Sequence, residues 1–557
     1  MKKNKNIIAG LSVIGGITLA LAGCGAVSQS TDSRETTVIE TADAAGSGNE
    51  ADITQVSNPD IPEGFSEKDF DTSYADAQTV ELSTGATKTE ASGVTVEGNV
   101  ITFTQAGTYL LKGELDGGQI VADLPGENDK IRLVLDGVNI TNTGSAGIYV
   151  KNADKVFVTT AVGSENSISV NGEFVQNDEN NVDGAIYSKD DIVFNGKGSL
   201  TVSSEKGHGI VSKNDLKITS GSYEIDSASK ALQGKDLVGI AGGDMILNAG
   251  TDGIDSVNVA VYDGNIDIKA EDEGINSDVT DENTEPSVTL AGGKITIVSG
   301  DDGIQTTGDV VNDGAELSIT SGGGSANAAE HYTDMAFGQM GGWQGRGQGG
   351  PQFGGDPDSL GEINFDTDDD ETTGDGNKNK GIKAENITLE SGTITIDSQD
   401  DAIHGNTDVT VNGGTYEITA GDDGIHADSV LTINGGAFTI SAWEGLEATV
   451  VTVNDGDISI SAKDDGINAV QKVSGLSPAL NIKGGSLKID MAQGDTDGLD
   501  TNGGLYITGG TVDINAQSPF DYDAEGVLDG GSVTVNGSQV TQLYSQMMGG
   551  GMMERKM

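Results

Sequence analysis

The chain is poor in cysteine and in positive charge. Cys24 is the only cysteine among 557 residues, so no disulfide can form within the chain. Lys and Arg number 30 against 88 Asp and Glu, which gives a formal net charge of −58. We expect no nucleic-acid partner, because phosphate groups would be repelled. No segment of the sequence has helical periodicity over enough residues to form a helix that crosses back over a sheet. The pattern therefore indicates strands and turns.

The most frequent pattern in the sequence is a short phrase of one or two acidic residues, Gly or Ala, an aliphatic residue and a polar residue. Asp301–Gln305 and Asp422–His426 are two examples. The small residues of successive phrases, for example Gly381, Ala402 and Gly424, are separated by 21 or 22 residues. A constant period of this size indicates one structural unit per repeat.

Residues 402–423 illustrate one repeat. Asp408–Asn412 and Thr415–Ala420 alternate apolar and polar residues, which predicts two strands, and Ala402–Gly405 is a third short segment. Three strands and three turns without a helix are typical of a parallel β-helix. We therefore predict an all-β parallel β-helix of about 21–22 residues per coil, with coils about 4.8 Å apart. Ile and Val are expected inside, and Asp, Asn, Thr and Lys outside.

The N terminus has the pattern of a targeting segment. Three lysines precede the apolar run Ile7–Leu21, which is too short to span a bilayer securely. Residues 1–23 followed by Cys24 resemble a lipoprotein signal peptide, and the alternative is an ordinary secretory signal with an incidental cysteine. We expect an extracytoplasmic protein that faces the cell surface and contacts the membrane only through lipid on Cys24. Removal of the leader takes the net charge to −61.

Composition divides the rest of the chain. Residues 24–66 are read as the lipidated N terminus and a flexible linker, and residues 67–540 as the β-helix domain. Residues 322–380 form a low-complexity insertion rich in Gly, Met and Asp, and residues 541–557 a flexible Met/Gly-rich tail.

The repeated acidic residues are candidate metal ligands, because stacked carboxylates repel one another and cations relieve the repulsion. Ca²⁺ prefers six to eight oxygen ligands and is the expected ion. The alternative is that Asp-Asp-Gly is simply a favourable turn. Asp366–Asp370 resembles the start of an EF-hand loop, but Glu371 stands where that loop needs Gly. The predicted metal ligands are Asp252, Asp255, Asp272, Glu273, Asn276, Asp301, Asp302, Asp400, Asp401, Asp422, Asp423, Glu444, Glu447, Asp464, Asp465, Asn468, Asp497 and Asp500.

The opening of the folded region carries a family resemblance in the segments 93–96, 107–115, 131–140 and 147–155. With the acidic repeats and the Gly/Met-rich insertion, they resemble the bacterial carbohydrate-binding β-helix family of clostridial cell-surface lipoproteins. The resemblance covers about residues 69–540. It implies a right-handed parallel β-helix related to polysaccharide lyases, with bound calcium. It also implies binding of cellulose-like and acidic plant polysaccharides, without established catalysis.

Three functions remain open from the sequence: a calcium-dependent polysaccharide-binding protein, a calcium-dependent uronate lyase, and a spacer that calcium makes rigid. Lyases of this architecture use a basic residue, commonly Arg, to remove a proton. The regular coils contain no arginine, since the four are Arg34, Arg132, Arg346 and Arg555. Lysines such as Lys463 and Lys483 remain. We favour the binding protein, as a monomer.

Three side chains are candidate sugar contacts. Trp443 stands in a turn where other repeats have Asp, and an aromatic face can stack on a sugar ring. Its alternative role is to cover a neighbouring loop. His404 and His426 lie 22 residues apart, so the period places them in one column. They face a ligand or a metal, or they form a solvated stack.

Overall fold

The computed structural model describes residues 61–126, 128–176, 178–278, 284–328, 379–493 and 496–544. These residues form 42 strands, one four-residue α-helix, α1 (Glu67–Phe70), and one 3-10 helix (Ser325–Asn327). The predicted all-β fold without crossover helices is confirmed. None of the helices in these ranges has the length and apolar character needed to cross a membrane.

The strands are short and follow one another closely along the chain. The N-terminal strands are β1 Gln78–Ser83, β2 Lys88–Thr89, β3 Val94–Glu97, β4 Val100–Phe103, β5 Gly107–Leu115, β6 Gln119–Asp123, β7 Lys130–Asn142, β8 Ile148–Asn152, β9 Lys155–Thr160 and β10 Glu165–Val170. The next strands are β11 Gly184–Ser188, β12 Asp191–Gly196, β13 Ser199–Ser204, β14 His208–Ser212, β15 Asp215–Ile218, β16 Ser222–Ser227, β17 Leu232–Gly234, β18 Leu237–Ala249, β19 Ile254–Asp255, β20 Asn258–Ala270, β21 Ile275–Ser277, β22 Ser287–Leu290, β23 Lys294–Ser299, β24 Ile304–Thr306 and β25 Asp309–Ser321.

The strands after residue 378 continue the same pattern. They are β26 Ile382–Ser398, β27 Ile403–Val411, β28 Thr415–Ala420, β29 Asp423–Ile433, β30 Ala437–Ala442, β31 Glu444–Val453, β32 Asp457–Ala462, β33 Asp465–Ala469, β34 Ala479–Ile482, β35 Ser486–Met491, β36 Asp497–Thr501, β37 Gly504–Ile507, β38 Thr511–Asn515, β39 Ser518–Phe520, β40 Gly526–Leu528, β41 Ser532–Val535 and β42 Ser538–Val540.

Each repeat contributes to three parallel ladders, which we name ladders A, B and C. In the repeat of β27 and β28, ladder A runs through Ile403, ladder B through Val409 and ladder C through Ile418. Ile403 pairs with Ile425 and Val409 with Leu431 in the next repeat, and Ile418 pairs with Ile440. All three pairings are parallel at an offset of 22 residues. The 21–22-residue period read from the sequence is therefore the hydrogen-bonding register.

The apolar side chains of each repeat lie on top of those of the next. Ile403, Val409 and Ile418 are at most 1% exposed and belong to one continuous core. The small residue of each phrase faces the same core. A Cβ atom added at Gly424 would lie 2.5 Å from the backbone oxygen of Gly445 and 2.5 Å from a methyl group of Ile440. Close packing between repeats thus accounts for the small residue at the period of 21 or 22.

The N-terminal segment of the described chain lies against the side of the ladders. We name residues 61–77 the strap. Asp69 in α1 is 1% exposed, and its carboxylate lies 3.1 Å from Nζ of Lys155. The ring of Phe65, in the segment predicted to be a linker, contacts Tyr262 edge to face, with 6.1 Å between the ring centroids.

Several predictions fall outside the described residues. These are the signal peptide 1–23, lipidation at Cys24, most of the 24–66 linker, residues 329–378 of the insertion and residues 545–557 of the tail. They stay predictions.

Candidate functional site

Polar side chains two positions after each small residue form one row on ladder A. Consecutive repeats pair these residues directly, and the row is Gln233, Asp255, Asn276, Gln305, Lys383, His404, His426, Glu447, Asn468 and Asp500. The predicted column is therefore present, with His404 directly paired to His426.

A second row runs beside the first. It consists of the residue before each small residue, and its members are Lys230, Asp252, Glu273, Asp302, Lys380, Asp401, Asp423, Glu444, Asp465 and Asp497. Asp423 pairs with Glu444 in ladder A, and Asp465 with Asp497. Direct contacts join the rows, since Oδ2 of Asp401 lies 2.7 Å from Nδ1 of His404. We name the two rows together the carboxylate column.

The column is more buried than the sequence predicts. Polar residues of the phrase were expected outside, yet Asp302 is 0% exposed, Lys380 1% and Asp401 3%. The reason is the spacing of about 4.8 Å between repeats, which leaves each polar side chain covered by the ones above and below it. Asp272 is exposed, and Asp400, Asp422 and Asp464 are half-buried.

At the N-terminal end of the column, three carboxylates cluster. Oxygen atoms of Asp252, Asp272 and Glu273 all lie within 4.8 Å of one another. Burial and the neighbouring Asp252 raise the pKa of Glu273 to about 8. Nζ of Lys230 lies 3.0 Å from Asp252 and also contacts Asp255. One lysine therefore neutralises part of this cluster.

Asp302 is the most completely buried carboxylate of the column. Its Oδ1 accepts the backbone N–H of Lys380 at 2.7 Å, while its Oδ2 has no hydrogen-bond partner. Burial raises the pKa of Asp302 to about 7. One repeat earlier, Oδ1 of Asn276 is also buried without a partner. Because buried polar atoms are nearly always paired, two such oxygens in adjacent repeats indicate a place for a ligand.

In the middle of the column, lysine supplies the positive charge. Nζ of Lys380 lies 2.8 Å from Asp401 and 3.1 Å from Asp400. Burial opposes ionisation of Asp401, but Lys380 and His404 outweigh it and hold the pKa of its carboxyl well below the usual range. Burial, only partly offset by Asp401, lowers the pKa of His404. His404 is therefore neutral beside an ionised pair.

The second histidine has a more acidic environment. The rings of His404 and His426 stack with 4.5 Å between centroids and 16° between planes. Burial opposes a charge on His426, yet its hydrogen bonds with Asp423, Asp428 and Glu447 raise its pKa well above the ordinary value. Two histidines one repeat apart thus differ in charge because their carboxylate neighbours differ.

The C-terminal end of the column is again rich in carboxylates. Burial, Asp497, Asp521 and Asp523 raise the pKa of Asp500 to about 7. Burial and the neighbouring Asp500 raise the pKa of Asp465 well above its ordinary value. The backbone N–H of Asp497 donates to Oδ1 of Asp465 at 3.1 Å. Carboxylates of adjacent repeats therefore repel one another at this end as well.

The three predicted sugar contacts differ in exposure, and their role stays a prediction. His404 and His426 are 4% and 6% exposed, so their rings offer little surface to a sugar. Trp443 is half-buried, and its backbone oxygen accepts the N–H groups of Lys463 and Asp464, each at 3.0 Å. The sequence analysis did not single out the partner cations Lys230 and Lys472. Lys230 stands before the small residue Ala231, where most later repeats have an acid, and Lys472 lies outside the repeated phrase.

A shallow cleft of about 650 Å³ lies along ladder C. Its lining includes Ser204, Asp226, Asn248, Lys269 and Glu271, which come from successive repeats of ladder C. Glu271 is followed directly in the chain by the clustered pair at 272 and 273. The cleft therefore runs along successive repeats, and the chain leads from its edge directly into the carboxylate cluster.

Comparison with known proteins places the chain in a family. A family model described as "carbohydrate-binding domain-containing protein" matches residues 97–260, 255–424 and 423–546, which is well over half of the chain. The chain belongs to this carbohydrate-binding family. The resemblance read from the opening segments and the acidic repeats is confirmed.

Individual relatives of this carbohydrate-binding family match in part. A carbohydrate-binding domain-containing protein from Acetivibrio thermocellus is 42% identical over 135 residues, which are 24% of this chain and 47% of the relative. The chain therefore matches about half the length of that relative. A gadolinium derivative of the polysaccharide lyase-like protein from C. thermocellum is 31% identical, with a TM-score of 0.38. That match covers 44% of this chain and 96% of the other.

Proposed function

We propose that this protein binds polysaccharide at the outside of the cell, through Ca²⁺ held in the carboxylate column of a right-handed parallel β-helix. Membership of a carbohydrate-binding family supports the ligand class. Three parallel ladders that share one repeat length support the β-helix architecture. The observation that carries the calcium site is the buried Oδ2 of Asp302 without a hydrogen-bond partner.

The donor atoms near Asp302 and at the C-terminal end of the column suit calcium. Near Asp302 they are carboxylate and amide oxygens, including the unpartnered Oδ1 of Asn276. At the other end they are the carboxylates of Asp465, Asp497 and Asp500. Calcium is a hard cation that takes oxygen ligands, carboxylates and amide carbonyls among them. Burial and, after it, repulsion from Asp497 and Asp521 raise the pKa of Asp500 to about 7, and calcium would lower that repulsion.

An acidic glycan fits the cleft better than a neutral one once calcium is bound. The exposed Lys269 lines the cleft together with Glu271, which directly precedes the clustered carboxylates Asp272 and Glu273 in the chain. A calcium ion shared between protein carboxylates and uronate carboxylates would overcome the repulsion from a net charge of −58. Polygalacturonate is the substrate class that this chemistry favours.

A uronate lyase is the second candidate, and Lys269 is the observation that favours it. Arg132, the only arginine in the described ranges, is 8% exposed and stacks on Phe157 at 4.6 Å. It is therefore unavailable as a base. Lys380 is held between Asp400 and Asp401, whereas Lys269 is exposed in the cleft.

Location and assembly are proposed from the sequence. The basic start, the apolar run and Cys24 support a lipid-anchored, extracytoplasmic protein whose contact with the membrane is the lipid alone. We propose a monomer that has no nucleic-acid partner.

The test mixes the full chain with polygalacturonate in millimolar Ca²⁺ and, in parallel, in excess chelator. Retention of the protein and ultraviolet absorbance of unsaturated product are recorded over a day. Retention that is lost in chelator, with constant absorbance, is the expected result. Rising absorbance that Lys269→Ala abolishes would identify a lyase. Absence of retention in calcium, with cellulose as a second glycan, would favour the rigid spacer.

A further inference from the structure

Two acidic side chains converge on a single nitrogen of a buried histidine. Nδ1 of His426 lies 2.8 Å from Oδ2 of Asp423 and 2.9 Å from Oε2 of Glu447. The three side chains are 8%, 7% and 5% exposed, respectively, and belong to two adjacent repeats. Unlike the ends of the column, this cluster offers a nitrogen donor together with oxygen donors.

The other ring nitrogen of His426, Nε2, contacts a fourth residue. Nε2 of His426 lies 3.2 Å from Oδ1 of Asp428, whose side chain is 39% exposed. With the Nε2–H group hydrogen-bonded to this carboxylate, a metal ion that displaces the Nδ1 proton would bind the lone pair left on Nδ1, which faces Asp423 and Glu447. Metal-binding histidines commonly show this arrangement, in which a carboxylate accepts the other N–H and fixes the ring.

We propose that Asp423, His426 and Glu447 form a binding site for a divalent transition-metal ion of the Zn²⁺ or Co²⁺ class. Such ions bind imidazole nitrogen and carboxylate oxygen at about 2.0–2.2 Å, with ligand atoms about 3.4 Å apart in a tetrahedral site. Nδ1 of His426 lies 2.8 Å from the oxygen of Asp423 and 2.9 Å from that of Glu447, so small side-chain rotations suffice to reach the tetrahedral spacing. Imidazole favours these metals over Ca²⁺, which takes oxygen ligands.

Neighbouring residues direct Glu447 toward the ion. Its Oε1 accepts from Nζ of Lys472 at 3.0 Å and from Nδ2 of Asn468 at 3.2 Å. Oε2 is therefore the atom turned to His426. These contacts keep the carboxylate in one orientation, as the outer partners of a metal ligand do.

The adjacent cluster of Asp401, His404 and His426 is a poorer site, although its donor atoms also lie within 4.8 Å of one another. The oxygen of Asp401 that faces His404 is 2.8 Å from Nζ of Lys380. An ammonium group at that distance occupies the place of a metal ion and repels one. The geometry therefore assigns a single site, on the Glu447 side of the stacked rings.

The test titrates Co²⁺ into the full chain after chelator treatment and dialysis, with millimolar Ca²⁺ present to fill oxygen-only sites. We expect one equivalent to bind, with visible absorption bands that Zn²⁺ removes. His426→Gln should abolish the bands, and Asp428→Asn should weaken binding by about 10- to 100-fold. His208→Gln is the matched control, because that ring lies on another repeat, 4.0 Å from Asp183.

Two results would overturn the proposal: absence of cobalt binding to the wild-type chain, or equal binding by His426→Gln, which would mean an adventitious ion only. Circular dichroism and melting curves check the fold of each variant. If His426→Gln does not fold, Glu447→Gln decides, because it retains the shape of the side chain and removes the charge. Unchanged cobalt bands in a folded Glu447→Gln variant would also contradict the site.

Discussion

Replacement of Asp302 by Asn removes a buried carboxylate. It therefore tests two effects of that carboxylate: the free energy of folding that its buried charge costs, and its contribution as a ligand of a cation. In the native state, burial raises the pKa of Asp302 to about 7 from the ordinary aspartate value of 3.8. The folded protein therefore holds this proton more tightly than the unfolded chain does. The resulting stabilisation is complete below pH 3.8 and is lost as the pH rises to about 7.

The size of the effect follows from the shift. About three pH units at roughly 1.4 kcal/mol each give an upper bound of about 4 kcal/mol that ionised Asp302 costs at pH 7.5 without a cation. In chelator, Asp302→Asn should therefore be more stable than the wild type at pH 7.5 and similar to it at pH 4. Calcium should narrow this difference at pH 7.5, because only the wild type keeps the carboxylate ligand. Calcium at a concentration 100 times its dissociation constant would stabilise the folded wild type by about 2.7 kcal/mol.

The assay is denaturant unfolding of the full chain at both pH values, each in chelator and in millimolar Ca²⁺. Asp267→Asn is the matched control, because that carboxylate is exposed and should change stability little under any condition. Equal stabilisation of wild type and Asp302→Asn by calcium would refute a role for Asp302 in cation binding. A lower stability of Asp302→Asn in chelator at pH 7.5 would refute the argument from burial.

Three further changes test other parts of the structure. Lys380→Met should destabilise the fold by about 3–5 kcal/mol in denaturant unfolding, because it leaves the buried carboxylate of Asp401 without its cation. Lys269→Ala should weaken retention on polygalacturonate and leave the melting temperature unchanged, since the side chain is exposed in the cleft. Gly424→Val should lower the melting temperature, because even its Cβ atom would lie 2.5 Å from the oxygen of Gly445; an unchanged melting curve would contradict the close packing.

The period of the sequence predicted which residues would be neighbours. His404 and His426 are 22 residues apart and pair directly, because the hydrogen-bonding register of a parallel stack equals the repeat length. The same reasoning placed Asp423 beside Glu444. Periodicity is sufficient here, since each pairing depends only on the number of residues per repeat.

Burial and charge compensation were not predictable in the same way. Lys380 breaks the acidic pattern of its row, and the structure shows that it compensates Asp400 and Asp401. Lys472 reaches Glu447 from a segment without the repeated phrase. Whether a carboxylate is neutralised by lysine, histidine or a bound ion depends on such irregular residues, which carry no periodic signal.

The strap determines where mechanical load enters the stack of repeats. The strap contacts Lys155 and also Asn195. Nδ2 of Asn195 donates hydrogen bonds to the backbone oxygen atoms of Asp69 and Asp71 at 2.9 and 3.2 Å. Tension applied from the N-terminal side of residue 61 therefore meets these sideways contacts before it reaches any ladder. The few hydrogen bonds between the strap and the ladders would break one after another. The ladders behind the strap would remain unloaded until it has peeled away.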